Sequence, residues 1–561
     1  MREPIKVKGK GRMWLAGATF CFACAAFAAQ QPAAPAQQPQ TAAPQAAQPS
    51  DKATPKAQTR ITPEQAQQLF GLVDDLLQFS SQETGLPVQG TVKRQLTTRA
   101  AVEDYLTEKL NEDQDAKRMQ QSEIVLKKFG MLDRDFDLKP FLISLLKEQI
   151  EAYYDAKTKT VNLLDWIAPD EQKPVLAHEL THALQDQHIN LDTWSDQTPP
   201  DVSLNSAGDT VHLAKDEIDT ARQAVLEGQA TAVMMDNILK PMGRSLIKNP
   251  EVVEFIKQQM VGSDSSPIMA RAPILLSESL MFPYREGLSF EQDVWMDKGR
   301  EAAFTGTLDR PPTSSWEIIN PREYEKGRVP TIPFMPDIHP LVDKLYRPYD
   351  IGQIGQLDVH ILTSILGGDD AARDLSPAWD GGIYWAGQLR SATLAEQAST
   401  KSIAFFYLSV WKSPASARSF ARLYADNLGR KYSGLKADHG DPQDAPSDSS
   451  NQQVFTTNEG TVVITTRGKM VFVSESFPLG LARELTALLF DAQGTGELKL
   501  AATRPSGSRA PSSRLVAGAG LESREAPSPD TGEPLSASFV RFFSRCGVMK
   551  AAVDAALQAA Q

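Results

Sequence analysis

The sequence predicts an α+β protein in which a predominantly helical region is followed by a smaller α+β sandwich domain. Apolar residues recur at helical spacing through most of residues 61–305, and a proline-spaced segment, 311–345, then interrupts this pattern. Beyond it, strand-like and helical segments alternate up to residue 502. We therefore expect a helical domain over 61–345 and an accessory α+β domain over 346–502.

The first 28 residues have the features of a cleaved secretory signal. Five basic residues precede an uncharged apolar run of 15 residues, 13–27, and Ala26-Phe27-Ala28 forms a small-x-small cleavage site. The run is shorter than the ~20 residues that cross a bilayer as a helix. We therefore expect an exported protein, periplasmic or secreted, with no transmembrane segment after cleavage. A lipoprotein attached through Cys24 is the alternative, although the preceding residues lack the leucine of a lipobox.

The composition predicts flexible segments at both ends of the mature chain, and the net charge limits the classes of partner that the protein can bind. Residues 29–60 are rich in Ala, Pro and Gln and predict a disordered linker, and residues 503–561 predict a flexible tail with a terminal helix. Cleavage after residue 28 removes five basic residues and one acidic residue, so the formal charge moves from −12 to −16. Such an acidic protein is a poor partner for nucleic acid, and Cys546 alone cannot form an intrachain disulfide.

Order is expected to begin at a capped helix. Thr62, Pro63 and Gln65 match an N-cap, a first helical position and a capping box, and leucines at helical spacing follow. Further helices are expected at about 98–112, 119–129 and 138–150. The segment 151–166 contains two short apolar runs around a polar turn, 152–154 and 160–164, and predicts a β-hairpin.

The accessory domain is expected to alternate helices and strands. A helix at about 353–367 is followed by the strand SIAFFYLSVW and by a helix in SPASARSFARLYADNLG that opens on a serine cap. The strands QQVFTTNEG and TVVITTRGKMVFVSES and the helix GLARELTALLFDA complete the set. The polar segment 190–216, before this domain, predicts a surface loop.

The stretch AHELTHALQDQH contains two of the seven histidines of the chain, four residues apart on a predicted helix. Positions i and i+4 lie on one face of a helix, so His178 and His182 can present their rings to one point. Glu179 is the next residue around the helix and can take a proton from a metal-bound water. Two imidazoles require a third protein ligand and an open fourth position if the metal is Zn²⁺.

The third ligand is expected from a neighbouring helix. Glu227 lies in the otherwise apolar segment TARQAVLEGQATAVMMD, where an unpaired carboxylate would be costly to bury. An ion pair with Arg222 would also compensate it. His188 and His212 are competing third ligands, although His188 is i+6 from His182 and faces another side of the helix. Gly228 would allow a neighbouring helix to approach closely.

His178-Glu179-Leu180-Thr181-His182 followed by Glu227-Gly228 resembles the gluzincin metallopeptidases, the thermolysin-like group. The resemblance covers residues 150–236, and FPYREGLSF and PPTSSWEI look like segments of uncharacterised exported bacterial proteins that carry the motif. It implies a zincin-like fold for the helical region, a zinc ion on His178, His182 and Glu227, and Glu179 as general base. It also implies that an edge strand, expected at 160–164, pairs with extended substrate.

The sequence departs from that group in the surroundings of the ligands. The aspartate that orients a zinc histidine there, four residues after the ligand glutamate, is Thr231 here. Asp186, Asp236 or a backbone carbonyl is the candidate replacement. Tyr284 and His212 are candidates for stabilising the developing oxyanion.

The function predicted from these residues is hydrolysis of peptide bonds by an exported zinc enzyme acting on peptide or protein substrates. Two alternatives are an envelope binding or scaffold protein with a catalytically silent zinc site, and a zinc hydrolase acting on cell-wall peptides.

Overall fold

The computed structural model describes residues 61–112, 114–194, 197, 202–261, 266–438 and 451–493. The signal peptide expected at 1–28, the linker expected at 29–60 and the tail expected at 503–561 lie outside these residues. Within the described part of the chain, no helix combines the length and the apolar composition needed to cross a membrane.

Long helices dominate the first two thirds of the described chain, as expected. Thr62 caps the first helix, and the reciprocal bonds between Thr62 and Gln65 form the predicted capping box. The longer helices are α1 Pro63–Gly71, α2 Val73–Thr84, α3 Arg99–Glu112, α4 Gln114–Phe129, α5 Leu138–Gln149, α6 Pro169–Ile189, α7 Ser206–Lys215, α8 Ile218–Leu239, α9 Glu251–Val261, α10 Ile274–Lys298, α11 Gln356–Leu375, α12 Pro414–Asp426 and α13 Leu479–Ala492.

A three-stranded sheet lies beside α6. Its strands are β1 Lys93–Thr97, β2 Ala152–Asp155 and β3 Thr160–Leu164, in the order β1-β3-β2. The hairpin expected at 151–166 is confirmed, since β2 and β3 pair antiparallel. The expectation that 160–164 is an edge strand is wrong, because β1 pairs with the other side of β3 and every residue of β3 is buried.

A seven-stranded sheet forms the second part of the structure. Its strands are β4 Tyr346–Gln353, β5 Trp379–Leu389, β6 Ile403–Trp411, β7 Lys436–Asp438, β8 Asn451–Thr457, β9 Gly460–Arg467 and β10 Met470–Glu475. Their order is β4-β5-β6-β10-β9-β8-β7, and every neighbouring pair is antiparallel. The sequence predicts β6 and β8, and the segment predicted as one strand, TVVITTRGKMVFVSES, forms both β9 and β10. The strands β4, β5 and β7 are not predicted.

Helices cover both faces of this sheet. Phe405 and Tyr407 of β6 point to the face that packs against α11 and α12, and their neighbour Phe406 points to the face covered by α13. The ring of Phe129 at the end of α4 lies 4.2 Å from that of Phe405, so the helical region shares a core with the first face. The overall α+β class is therefore confirmed, and the domain boundary at 345 stays a prediction.

The helices α6, α8 and α10 converge at the centre of the helical region. Gly228 on α8 touches Gly287 on α10 so closely that a Cβ built on Gly228 would lie 2.4 Å from the Gly287 carbonyl. The close approach expected at Gly228 is thus confirmed. It places α10 against the part of α8 that carries Glu227, opposite the two histidines of α6.

Candidate metal centre

His178, His182 and Glu227 form one group in which the ligand atoms can meet at a single ion. His178 Nε2 lies 3.0 Å from Glu227 Oε2 and 3.0 Å from His182 Nε2, and His182 Nε2 lies 3.4 Å from Glu227 Oε2. Two ligands at ~2.0–2.1 Å from a tetrahedral zinc ion are about 3.3 Å apart. The three atoms therefore have the spacing of three corners of a zinc coordination tetrahedron, and the donor set fits the metal.

Charge within this group favours an anionic glutamate. Burial alone would raise the pKa of Glu227, but the charge of His182 and hydrogen bonds with both histidines outweigh burial and lower it to about 2. Burial lowers the pKa of His178 to about 4, helped by the positive charge of His182. Burial also opposes the charge on His182, yet Glu227 raises the pKa of His182 to about 9. A divalent cation would replace the proton of His182 as the partner of Glu227.

Glu179 lies beside the group without belonging to it. It is buried, and its carboxylate accepts a hydrogen bond from the backbone of Tyr154 on β2. Glu179 Oε1 is buried with no hydrogen-bond partner among the described residues. Burial raises the pKa of Glu179 to about 7, although the charge of His182 opposes the shift. A carboxyl group with one open acceptor and a pKa near neutrality suits proton transfer to and from a water molecule.

β2, rather than β3, is the edge strand beside this site. It ends the order β1-β3-β2, and the bond from Tyr154 N–H to Glu179 directs one backbone donor of β2 towards α6. Asp186 of α6 accepts hydrogen bonds from the hydroxyl of Tyr154 at 2.8 Å and from Lys159 Nζ at 2.6 Å. These contacts hold the hairpin against the helix that carries both histidines.

Tyr284 of α10 lies on the other side of His178. The two rings are nearly parallel, at 27°, with their centroids 6.2 Å apart, and the tyrosine is fully buried. The structure therefore brings Tyr284 next to the predicted ligands.

His212 belongs to a second buried polar group. The segment expected to be a loop contains α7, and this helix carries His212 with its ring buried and Nε2 3.5 Å from Asp216 Oδ1. Asp209 and Asp350 are the other acidic residues whose charges interact with His212. The structure thus places His212 beside the start of α8 and strand β4, in a group separate from the metal ligands.

His188, Arg222 and Asp236 also lie outside the metal group. His188 Nε2 contacts Asp309 Oδ1 at 3.0 Å, and the guanidinium of Arg222 stacks over the ring of Trp194 at 4.8 Å. Asp236 accepts a hydrogen bond from the backbone of Leu246 at 2.8 Å.

The contact of His182 with Gln185 was not predicted from the sequence. His182 Nδ1 lies 2.8 Å from Gln185 Oε1, three residues further along α6. The spacing i, i+3 was the available signal, because such residues share a helix face. His178 Nδ1 and Thr231 Oγ1 are both buried without a hydrogen-bond partner among the described residues.

Comparison of the chain with protein families, with curated proteins and with solved structures gives no match. The resemblance to gluzincins therefore stays a prediction from the HExxH motif and the distant glutamate.

Proposed function

We propose that this protein is an exported zinc metallopeptidase with a zincin-like catalytic region, in which His178, His182 and Glu227 hold the metal. The observation that carries the proposal is the triangle of ligand atoms with edges of 3.0, 3.0 and 3.4 Å, together with the unpartnered Glu179 Oε1 beside it. Two neutral imidazoles and one carboxylate, with room for a water ligand, form the ligand set of catalytic zinc.

The proposed reaction is hydrolysis of a peptide bond. A bound zinc ion would polarise the scissile carbonyl and lower the pKa of a water ligand towards ~7. Glu179 takes a proton from the attacking water on its open oxygen and then delivers it to the leaving amine. The new C–O bond forms first, on the carbonyl carbon, and the C–N bond then breaks as the amine nitrogen receives the proton, so the products are a carboxylate and an amine.

Two neighbouring elements would orient the substrate in this proposal. Tyr284 stands beside His178 and is the candidate donor to the carbonyl oxygen as that oxygen gains negative charge. The edge strand β2 offers backbone groups for an extended peptide next to Glu179.

Burial of the site supports a second candidate, a zinc-binding scaffold without catalysis. The His178 side chain is fully buried, and His182 exposes only 12% of its side chain. Structural zinc sites are closed, whereas catalytic sites keep one position accessible to water. The two candidates differ in what Glu179 does, because a scaffold has no use for a general base.

The test uses the mature chain and a matched pair of variants. Glu179→Gln removes the base but leaves the three ligands, and Glu171→Gln makes the same change at an exposed position of the same helix. We expect about one zinc per chain in all three proteins and loss of casein cleavage by ~10²–10⁴-fold in Glu179→Gln alone. Zinc binding without cleavage that depends on Glu179 would favour the scaffold. Cleavage confined to wall-derived peptides would favour a cell-wall hydrolase.

A further inference from the structure

The side chains behind His182 form a chain of buried amides. Gln185 Oε1 faces His182 Nδ1, while Gln185 Nε2 lies 3.1 Å from the carbonyl oxygen of Leu226 and 2.9 Å from Gln229 Oε1. Both glutamines are completely buried. The amide of Gln185 therefore spans the gap between the two ligand helices, α6 and α8.

The far end of this chain is a π-helical turn, Ala302–Gly306. Gln229 Nε2 donates to the carbonyl oxygens of Ala303 at 3.1 Å and Phe304 at 2.8 Å, and it lies 2.9 Å from Thr307 Oγ1. A π-helical turn interrupts the regular i→i+4 bonding of a helix, and such turns occur often at functional sites. Here the turn presents two carbonyl groups that accept from one glutamine.

These carbonyl groups determine the orientation of every amide in the chain. A backbone carbonyl can only accept, so the atom of Gln229 that faces Ala303 and Phe304 must be its NH₂ group. Gln229 Oε1 then faces Gln185 and must receive a donor, which fixes Gln185 Nε2 on that side. The remaining atom, Gln185 Oε1, can only accept from His182. Nδ1 of His182 must therefore carry a hydrogen.

We propose that Gln185 and Gln229 are positioning residues that hold His182 with a proton on Nδ1 and with Nε2 directed at the metal. The inference rests on the proposed metal site. It replaces the carboxylate partner expected at Asp186 or Asp236 with a neutral amide, anchored to backbone carbonyls that cannot reverse their role. Removal of the acceptor leaves His182 free to rotate or to exchange tautomers, and both changes weaken metal binding.

The first experiment measures zinc affinity of the full mature chain by competition with a chromogenic chelator. Gln185→Leu removes the acceptor, and Gln185→Glu keeps an acceptor oxygen next to Nδ1. Gln187→Leu makes the same change as the first variant at a residue whose side chain hydrogen-bonds to the 89–90 backbone. We expect a loss of ~10–100-fold for Gln185→Leu and no change for Gln187→Leu. The loss for Gln185→Glu should be smaller than for Gln185→Leu, because this variant keeps the oxygen next to His182 Nδ1 although it loses the donor to Gln229 and Leu226.

Two outcomes would overturn the proposal. One is wild-type affinity in Gln185→Leu. The other is an equal loss in Gln185→Leu and Gln185→Glu, which would mean that Gln185 only supports the fold. Failure of the wild-type chain to bind zinc would contradict the metal site itself, so the two failures are distinguishable.

A second measurement needs no variant. Selective ¹⁵N labelling of the seven histidines allows the ring nitrogens of the zinc-loaded wild type to be assigned by NMR. We expect an Nδ1–H signal of His182 that is shifted downfield and exchanges slowly with solvent, because it donates to a buried amide. Zinc on Nδ1 of His182, or a rapidly exchanging proton there, would contradict the role of the two glutamines.

Discussion

Two buried glutamates ten residues apart, Glu217 at the start of α8 and Glu227 within it, ionise in opposite directions. Glu217 is 1% exposed and Glu227 3% exposed, so burial by itself would raise the pKa of both carboxyl groups. The pKa of Glu217 rises to about 8, whereas that of Glu227 falls to about 2. Their neighbours therefore decide the charge of each group.

The neighbours of Glu217 are mainly acidic. The charges of Asp358 and Asp216 add to burial, and the hydroxyl of Ser315, which donates to Glu217 Oε1 at 2.8 Å, only partly opposes them. Glu217 also packs on the backbone of Gly355, where a side-chain carbon would clash with its carboxyl group. A neutral Glu217 thus joins the start of α8 to the segment that follows β4.

The neighbours of Glu227 are two imidazoles, and they keep its carboxylate charged. A carboxyl group must be ionised to bind a metal well, and a neutral carboxylic acid is a poor ligand. Burial by itself is therefore a weak sign of a metal site. The combination of burial with nearby histidines distinguishes Glu227, the proposed ligand, from Glu217, which joins two segments of the fold.

The largest effect expected from this comparison is on zinc affinity. Glu227→Gln removes the anionic ligand, so zinc should bind more than about 100-fold more weakly. Glu217→Gln makes the same change on a group that is already neutral, and zinc affinity should stay within about 3-fold of the wild type. Chelator competition on the two variants measures both numbers, and similar losses would remove the distinction between the two glutamates.

The next effect concerns the helix contact that holds Glu227 in place. A methyl group at Gly287 would lie 2.1 Å from the carbonyl oxygen of Ala224, so α8 and α10 must separate in Gly287→Ala. We expect a loss of about 1–3 kcal/mol in the free energy of unfolding and weaker zinc binding. Gly480→Ala is the control, because no atom lies within 4 Å of its Cβ position. Unchanged zinc affinity in Gly287→Ala would show that the ligand geometry tolerates helix separation.

The third effect is on the pH dependence of stability. Since the folded protein raises the pKa of Glu217 from 4.5 to about 8, the stability that the protonated Glu217 contributes is present below pH 4.5 and is lost as pH rises through this window. Glu217→Gln removes that loss, so the free energy of unfolding of the variant should rise relative to that of the wild type as pH increases from 4.5 to 8.

Glu227 should show the opposite slope in the metal-free protein. Its folded pKa is lowered, so its stabilising contribution is present above pH 4.5 and is lost as pH falls towards about 2. Glu227→Gln should therefore cost most stability near neutral pH and less in acid. Denaturant unfolding of both variants across this range gives the two slopes, and slopes of the same sign would contradict the charge assignment.

The smallest effect is expected at His212. This residue lies in the group of Asp209, Asp216 and Asp350, away from the proposed zinc ligands, so His212→Asn should leave zinc affinity within about 2-fold of the wild type. A loss comparable to that of Glu227→Gln would identify His212 as a metal ligand.

Local patterns were sufficient to predict most of the longer helices, the hairpin and the three residues that the structure brings together, but they predicted a loop where α7 lies. The two histidines are an i, i+4 pair, and Glu227 stood out as a carboxylate in an apolar helix. The strands β4 and β5 were not predicted because both contain residues that lower strand propensity. These residues are Pro348 and Asp350 in β4 and the adjacent glycines Gly381 and Gly382 in β5. β4 tolerates its proline because it is an edge strand of the sheet.

The identity of the edge strand and the hydrogen-bond partner of His182 could not be predicted from local patterns, because both depend on contacts between segments far apart in the sequence. β1 is a short polar segment that becomes recognisable only by its parallel pairing with β3, and this pairing moves the edge to β2. Gln185 could have been proposed from its spacing, but its role depends on Gln229 and on the carbonyl groups of a distant π-helical turn. Neither is visible in the sequence around the motif.

The most direct test of the metal centre is anomalous diffraction at the zinc edge from crystals of the zinc-loaded mature chain. We predict one peak about 2 Å from His178 Nε2, His182 Nε2 and a carboxylate oxygen of Glu227. A structure with no peak there, or with zinc in the group formed by Asp216 and Asp350, would contradict it.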